Sequence, residues 1–194
     1  TIRSTLGIIL SEGPWLEDGR TRMISAGEET RWAPMPPPLG PKRAVSFPLA
    51  LGHLAPRHLE LRALRLYATA GAVEAGGMRF GMPFLRWAFD SPVRPWIDKI
   101  VDRAPEGPTE DQRERSRWTI LAEARSGSEW RNVTLQGTDY YGLTAETLTA
   151  AAIQMSADGY DVSGVVAPVE ATGLNVLLDE LSKHGVSIET YAPV

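Results

Sequence analysis

There is no cysteine among the 194 residues. Disulfides, thiol nucleophiles and cysteine-ligated metals are thereby excluded, and the absence fits a cytoplasmic setting. An excess of positive charge is missing too. Twenty Lys and Arg face 24 Asp and Glu, a net −4 that argues against a nucleic-acid partner. The basic cluster Arg113, Arg115 and Arg117 alternates with Gln112, Glu114 and Ser116, and reads as a solvated loop leading into a strand. No apolar run approaches the roughly 18 residues that span a bilayer. No transmembrane segment and no secretory signal are therefore expected.

Several catalytic signatures are absent. No two glycines are spaced Gly-x-Gly, so the dinucleotide fingerprint is missing. There is no P-loop, no Gly-x-Ser-x-Gly elbow and no His-Glu-x-x-His. Histidine occurs three times. His53 and His58 stand five apart around a proline, which reads as a pair of ordinary loop histidines and not as metal ligands. His184 reads as a helix C-terminal cap.

What remains is an ordinary folded composition, 43% apolar and 23% charged. The length suits one sizeable core, and residues 1–194 are expected to form a single domain. Ile2, Leu6, Ile9 and Leu10 share a helical face, with Gly13-Pro14 as the stop. A helix that opens at Thr1 has no cap, so a piece of a longer protein is expected; removal of an initiator methionine is the plainer alternative. Glu17-Asp18-Gly19-Arg20 reads as a turn into a strand over 21–24. The run WAPMPPPLGP, residues 32–41, is extended and non-helical. Strands are expected at 44–49 and 61–69, with a loop or short helix over 53–58 between them. Gly76-Gly77 marks a break. Residues 80–101 carry a bulky apolar helical pattern that Pro92 and Pro95 split in two.

The polar stretch 104–116 is the expected mobile loop. Residues 117–124 and 130–137 alternate around Ser126-Gly127-Ser128 and form the clearest antiparallel hairpin. A helix over 144–157 follows, with Thr144 as its cap and Leu148, Ala151, Ala152 and Met155 on one face. Pro168 opens a later helix with Val169, Val176, Leu177, Leu178 and Leu181 as its stripe, and Gly185 ends it. VSIETY closes as a strand.

Between hairpin and helix lies GTDYYGLT, which reads either as a proton-transfer site or as a turn. A reductase-type Tyr-x-x-x-Lys arrangement needs lysine at 144 or 145, where Thr144 and Ala145 stand. No cation is there to lower a phenol from its ordinary value of about 10. The turn is the better reading, with Asp139 bonding backbone ahead of it and Gly142 permitting the bend. Strand-to-helix loops often border pockets, so Tyr140 and Tyr141 remain substrate-lining candidates.

Four stretches together resemble the saccharopine dehydrogenase-like oxidoreductases, a family that also includes trans-acting enoyl reductases. TIRSTL at 1–6 is similar to the segment that opens the family's second domain. EDGR at 17–20 looks like the turn after it. GTDYYGLTAETLTAAA at 137–152 resembles the Gly-x-Asp-x-Tyr-x-x-Thr segment and helix. GVVAPVEATGLNVLLDELSKHGV at 164–186 resembles the closing Gly-x-x-x-Pro helix. The match runs nearly end to end, but over the non-Rossmann half of the family only.

The resemblance implies an α+β domain, an antiparallel or mixed sheet covered by helices on one face, that binds substrate and dimerises. NAD(P) is implied for the full-length protein, with an N-terminal Rossmann domain as the cofactor's site and no cofactor in this chain. It implies a small-molecule substrate, and the bulky apolar helical run hints at a hydrophobic one. Arg3, Ser4, Arg57, His58, Tyr140 and Tyr141 are the substrate-binding candidates, and this chain alone is expected to be inactive. The rival from another class is a non-catalytic ligand-binding or assembly module with no cofactor. A free-standing acid–base enzyme has the least support, since no catalytic constellation is recognisable.

Overall fold

The computed structural model describes residues 7–71, 81, 87, 89, 91–92, 94–103 and 107–191. The chain is α+β, with three small antiparallel sheets and several helices. The described strands form three separate sheets where one helix-covered sheet is expected. Two compact units divide at Gly107 and Pro108.

In the first unit, residues 7–10 are helical and the chain is already extended by Glu12. Strands β1 (Glu12–Glu17) and β2 (Arg20–Ser25) pair antiparallel. Asp18 and Gly19, at φ 48° and 76°, make the two-residue hairpin turn that strand twist favours. Gly13-Pro14 is therefore not a helix stop but part of β1. A two-stranded sheet leaves each strand an open edge, where the missing proline N–H costs little.

Strands β3 (Thr30–Ala33), β4 (Lys42–Ser46) and β5 (Tyr67–Thr69) form the second sheet in that order. The proline-rich run between β3 and β4 is non-helical, as its composition requires. Of the strand expected over 61–69, Tyr67–Thr69 joins the sheet, while Leu64 makes an isolated bridge to Leu16. Trp15, Ile24 and Leu66 form the buried cluster, with Leu64 and Tyr67 packed against it. The Trp15 and Tyr67 rings are tilted at 57° with centroids 5.1 Å apart. The Ser46 hydroxyl ties β4 to β2, donating to the Ser25 carbonyl at 2.7 Å while accepting from Glu29 N–H at 3.1 Å.

Helix α1 (Leu51–Leu54) runs into a 3₁₀ turn, Ala55–Arg57. Helix α2 (Arg94–Asp102) holds Pro95 in its first turn, where a proline helps start a helix. Gly76-Gly77 and most of the apolar pattern before Pro92 lie outside the described residues.

In the second unit, Glu110–Arg115 is helix α3, so the polar stretch 104–116 is not all loop. Thr109 and Gln112 form a reciprocal capping box that offsets the poor length of so short a helix. Strands β6 (Arg117–Ser126) and β7 (Glu129–Thr138) make the expected hairpin, and β8 (Ser187–Tyr191) adds to β7. Ile120, Leu135 and Ile188 line up across the three strands, with Ile120 and Ile188 exposed. Asn132 and Thr134, on the opposite face of β7, are buried.

Helices α4 (Tyr140–Met155), α5 (Pro168–Thr172) and α6 (Leu174–Lys183) pack on one another. Gly173, at φ 80°, separates α5 from α6. The inward side of α4 is Leu143, Thr147, Ala150 and Ala151, so the expected face is corrected: Leu148, Ala152 and Met155 are exposed. Helix α4 is apolar around most of its circumference, and periodicity alone does not select a side. No helix among the described residues is long and apolar enough to cross a membrane.

Candidate binding pocket

The turn from β7 into α4 is built around Asp139. Its backbone is left-handed, at φ 40°, and its carboxylate accepts a hydrogen bond from Gly142 N–H at 3.0 Å. A Cβ on Gly142 would run into that carboxylate, so the glycine lets the carboxylate close on the helix N-terminus without shifting. Asp139 is thus the N-cap, and the expected cap Thr144 is one turn inside, its hydroxyl donating to the Tyr140 carbonyl at 2.8 Å. Thr144 suits a cap by residue type, but the helix opens four residues earlier, where Asp139 already satisfies the first turn.

This geometry projects Tyr140 and Tyr141 from the first turn of α4. Their rings meet edge to face, 83° apart in plane and 5.9 Å between centroids. Opposite Gly137, Trp118 is fixed by its indole N–H, which donates to the Thr138 carbonyl at 3.2 Å. The end of α3 is fastened by Ser116, whose hydroxyl and N–H both donate to the Arg113 carbonyl, at 2.6 and 3.0 Å.

These elements enclose an open pocket of about 330 Å³. Gln112, Arg113 and Ser116 come from α3 and its C-terminus, Arg117 and Trp118 from the start of β6, and Tyr140 and Tyr141 from α4; Pro108 completes the lining. No carboxylate lines it. Neither Arg113 nor Arg117 is ion-paired with a described residue. The arrangement offers two cationic donors beside three aromatic rings.

Of the sequence candidates, Tyr140 and Tyr141 come together in this pocket. Arg57 ends the 3₁₀ turn and His58 caps it, both exposed in the first unit, and neither lines the pocket. Arg3 and Ser4 lie outside the described residues. Sequence reasoning missed Arg113, Arg117 and Trp118. The signal in the sequence is a basic cluster running straight into Trp118; its composition suits a solvated loop equally well, and only helix α3 and the start of β6 bring Arg113 and Arg117 beside the tyrosines.

His184 caps α6 and also reaches α4, with Nδ1 2.8 Å from Glu146 Oε2. Among the described residues, no group of three or more His, Asp or Glu side chains is placed to hold a metal ion. The β7–α4 turn does not fit a dinucleotide pyrophosphate. Asp139 already occupies the helix N-terminus with its own negative charge, and the turn lacks the closely spaced glycines that let a backbone approach phosphate. No family model matches the chain, and no curated protein matches it in sequence.

Proposed function

We propose that this chain is the substrate-binding and dimerisation module of a saccharopine dehydrogenase-like NAD(P)-dependent oxidoreductase, with hydride chemistry belonging to a cofactor held by another domain. The observation that carries the reading is the pocket at the start of α4. It brings Tyr140 and Tyr141, the two tyrosines of the family-like segment, against Trp118 and two arginines without ion pairs. Its volume lies at the small end of the range for small-molecule sites. Its role in this reading is to bind and orient, with the arginines and rings as contacts for the substrate and the chemistry left to the cofactor.

The test is a titration of the chain with NADPH and NADH, read by tryptophan quenching, beside a fragment screen read by protein NMR. No cofactor binding up to millimolar levels is expected, with fragment-induced shifts gathering at Trp118, Tyr140 and Tyr141. Saturable micromolar cofactor binding, or fragments that cluster elsewhere, overturns the reading.

A non-catalytic assembly module is the second reading, and the outer face of α4 favours it. Tyr141, Ala145, Leu148, Ala152 and Met155 fall on one exposed side and carry no charge. Leu148 is 66% exposed and Met155 50%. The hydroxyls of Thr144, Thr149 and Ser156 each donate back to a carbonyl of their own helix at 2.8 Å. These hydroxyls thus spend their donor protons on their own helix. Exposed apolar residues gathered on one side of a helix form the kind of surface that protein partners cover. A second copy fits this face, because Tyr141 and Met155 stand seven residues either side of Leu148, a spacing that suits a two-fold antiparallel contact. Light scattering of wild type and Leu148→Glu checks it: a dimer that becomes a monomer is expected, and a monomeric wild type removes the dimerisation half of the proposal.

A further inference from the structure

We infer that the α4 pocket selects a carboxylate joined to a flat apolar body, an inference that rests on the pocket's being the substrate site. Charge comes first. Arg113 and Arg117 both line the pocket, no acidic side chain does, and neither arginine is ion-paired with a described residue. A guanidinium that lines an open cavity without a partner is a donor awaiting an acceptor, and its planar fork matches a carboxylate in two parallel hydrogen bonds.

The other donors narrow the choice. Ser116 is committed to the Arg113 carbonyl and Trp118 Nε1 to the Thr138 carbonyl. Gln112 accepts from Thr109 N–H through Oε1, which leaves its amide NH₂. The donors left open are therefore the two guanidinium groups and one amide NH₂, and the only charges among the lining residues are positive. Two unpaired positive charges disfavour an ammonium and favour an anion.

The body is set by the walls. Trp118 lies over Gly137 with its ring fixed by its own hydrogen bond, and Tyr140 and Tyr141 hold each other edge to face. These rings are positioned before any ligand arrives, so a planar group stacks with little ordering cost. A bulky anion such as a dinucleotide does not suit about 330 Å³, and inorganic phosphate uses only the arginine end.

The experiment compares trans-cinnamate with trans-cinnamamide, two molecules of one shape that differ in charge, by calorimetry on the full chain. Inorganic phosphate is the anion without a body. Cinnamate is expected to bind at least tenfold more tightly than cinnamamide and phosphate, and its affinity falls as salt is raised. Arg113→Gln and Arg117→Gln each bring cinnamate down towards the amide, while unchanged thermal melts show that the fold is intact. The salt series and the acid–amide comparison need no variant, so a misfolded variant does not block the test. Equal binding of acid and amide, with NMR shifts at Tyr140 and Tyr141, overturns the charge selection and leaves the pocket as a neutral site. Phosphate that matches cinnamate overturns the flat body. No binding of any of the three to millimolar levels overturns this inference and counts against the pocket as substrate site.

Discussion

Trp118 lies directly across the strand from Gly137, and a Cβ built on that glycine would stand 2.6 Å from the indole Cζ2. The absent side chain makes room for the ring, and the ring covers a glycine that would weaken the strand by itself. Gly137→Ala is expected to destabilise the second unit by about 1–3 kcal/mol, the usual range for overpacking. A double-mutant cycle with Trp118→Ala assigns the cause by denaturant unfolding. The cost shrinks when the indole is gone; an undiminished cost places the strain elsewhere.

Gly52 makes an analogous demand in the first unit. It sits buried in α1, and a Cβ there would collide with the Pro14 carbonyl oxygen. Alanine normally favours a helix by about 1 kcal/mol over glycine, and here the sign reverses. Gly52→Ala is expected to lose more than about 2 kcal/mol, because backbone and not a mobile side-chain tip is in the way. Gly7→Ala, with nothing within 4 Å of its added methyl, is the control and leaves the melting temperature unchanged or higher.

Legibility in the sequence followed the physics of each segment. The β6–β7 hairpin was readable because alternation and a glycine turn specify both register and faces. The Asp18-Gly19 turn, the Pro168 start and the Gly185 stop were readable because each depends on its own backbone angles. The inward side of α4 was not, since apolar residues occupy nearly its whole circumference. Pro14 misled because its cost depends on whether a neighbouring strand needs the missing N–H. Helix α3 was hidden by its charges, and with it the pocket. Tyr140 and Tyr141 were found as a motif, whereas Arg113 and Arg117 joined them only through folding.

Arg22 bridges three carboxylates, at 2.7 Å from Glu29, 2.8 Å from Glu28 and 3.5 Å from Glu17. The hydrogen bonds to Glu29 and then Glu28 raise its pKa further, so it is charged at every accessible pH. Glu17 is also held by Arg65 at 3.2 Å. Arg22→Gln leaves clustered negative charge beside the β1–β2 hairpin. The variant is expected to melt below wild type in low salt, with the gap narrowing in 1 M salt as screening weakens the repulsion. A gap that ignores salt shows that the loss is one of packing.

Tyr67 gives the first unit an alkaline limit. Its phenol pKa is raised chiefly by burial, with the charge of Glu29 adding to the effect and Arg65 and Arg31 opposing it. The unfolded chain ionises this tyrosine at about 10, whereas the folded chain keeps its proton to higher pH. Between those two values the folded state binds more protons than the unfolded one, so stability falls as pH rises. Below about pH 10 both states are protonated and the group contributes no slope. Tyr67→Phe keeps the ring against Trp15 and removes the ionisation. Urea midpoints from pH 8 to 11 are therefore expected to diverge only above about pH 10, with the phenylalanine variant losing less. Parallel curves across that range would show that Tyr67 ionises alike in both states and that its hydroxyl is solvated in the folded chain.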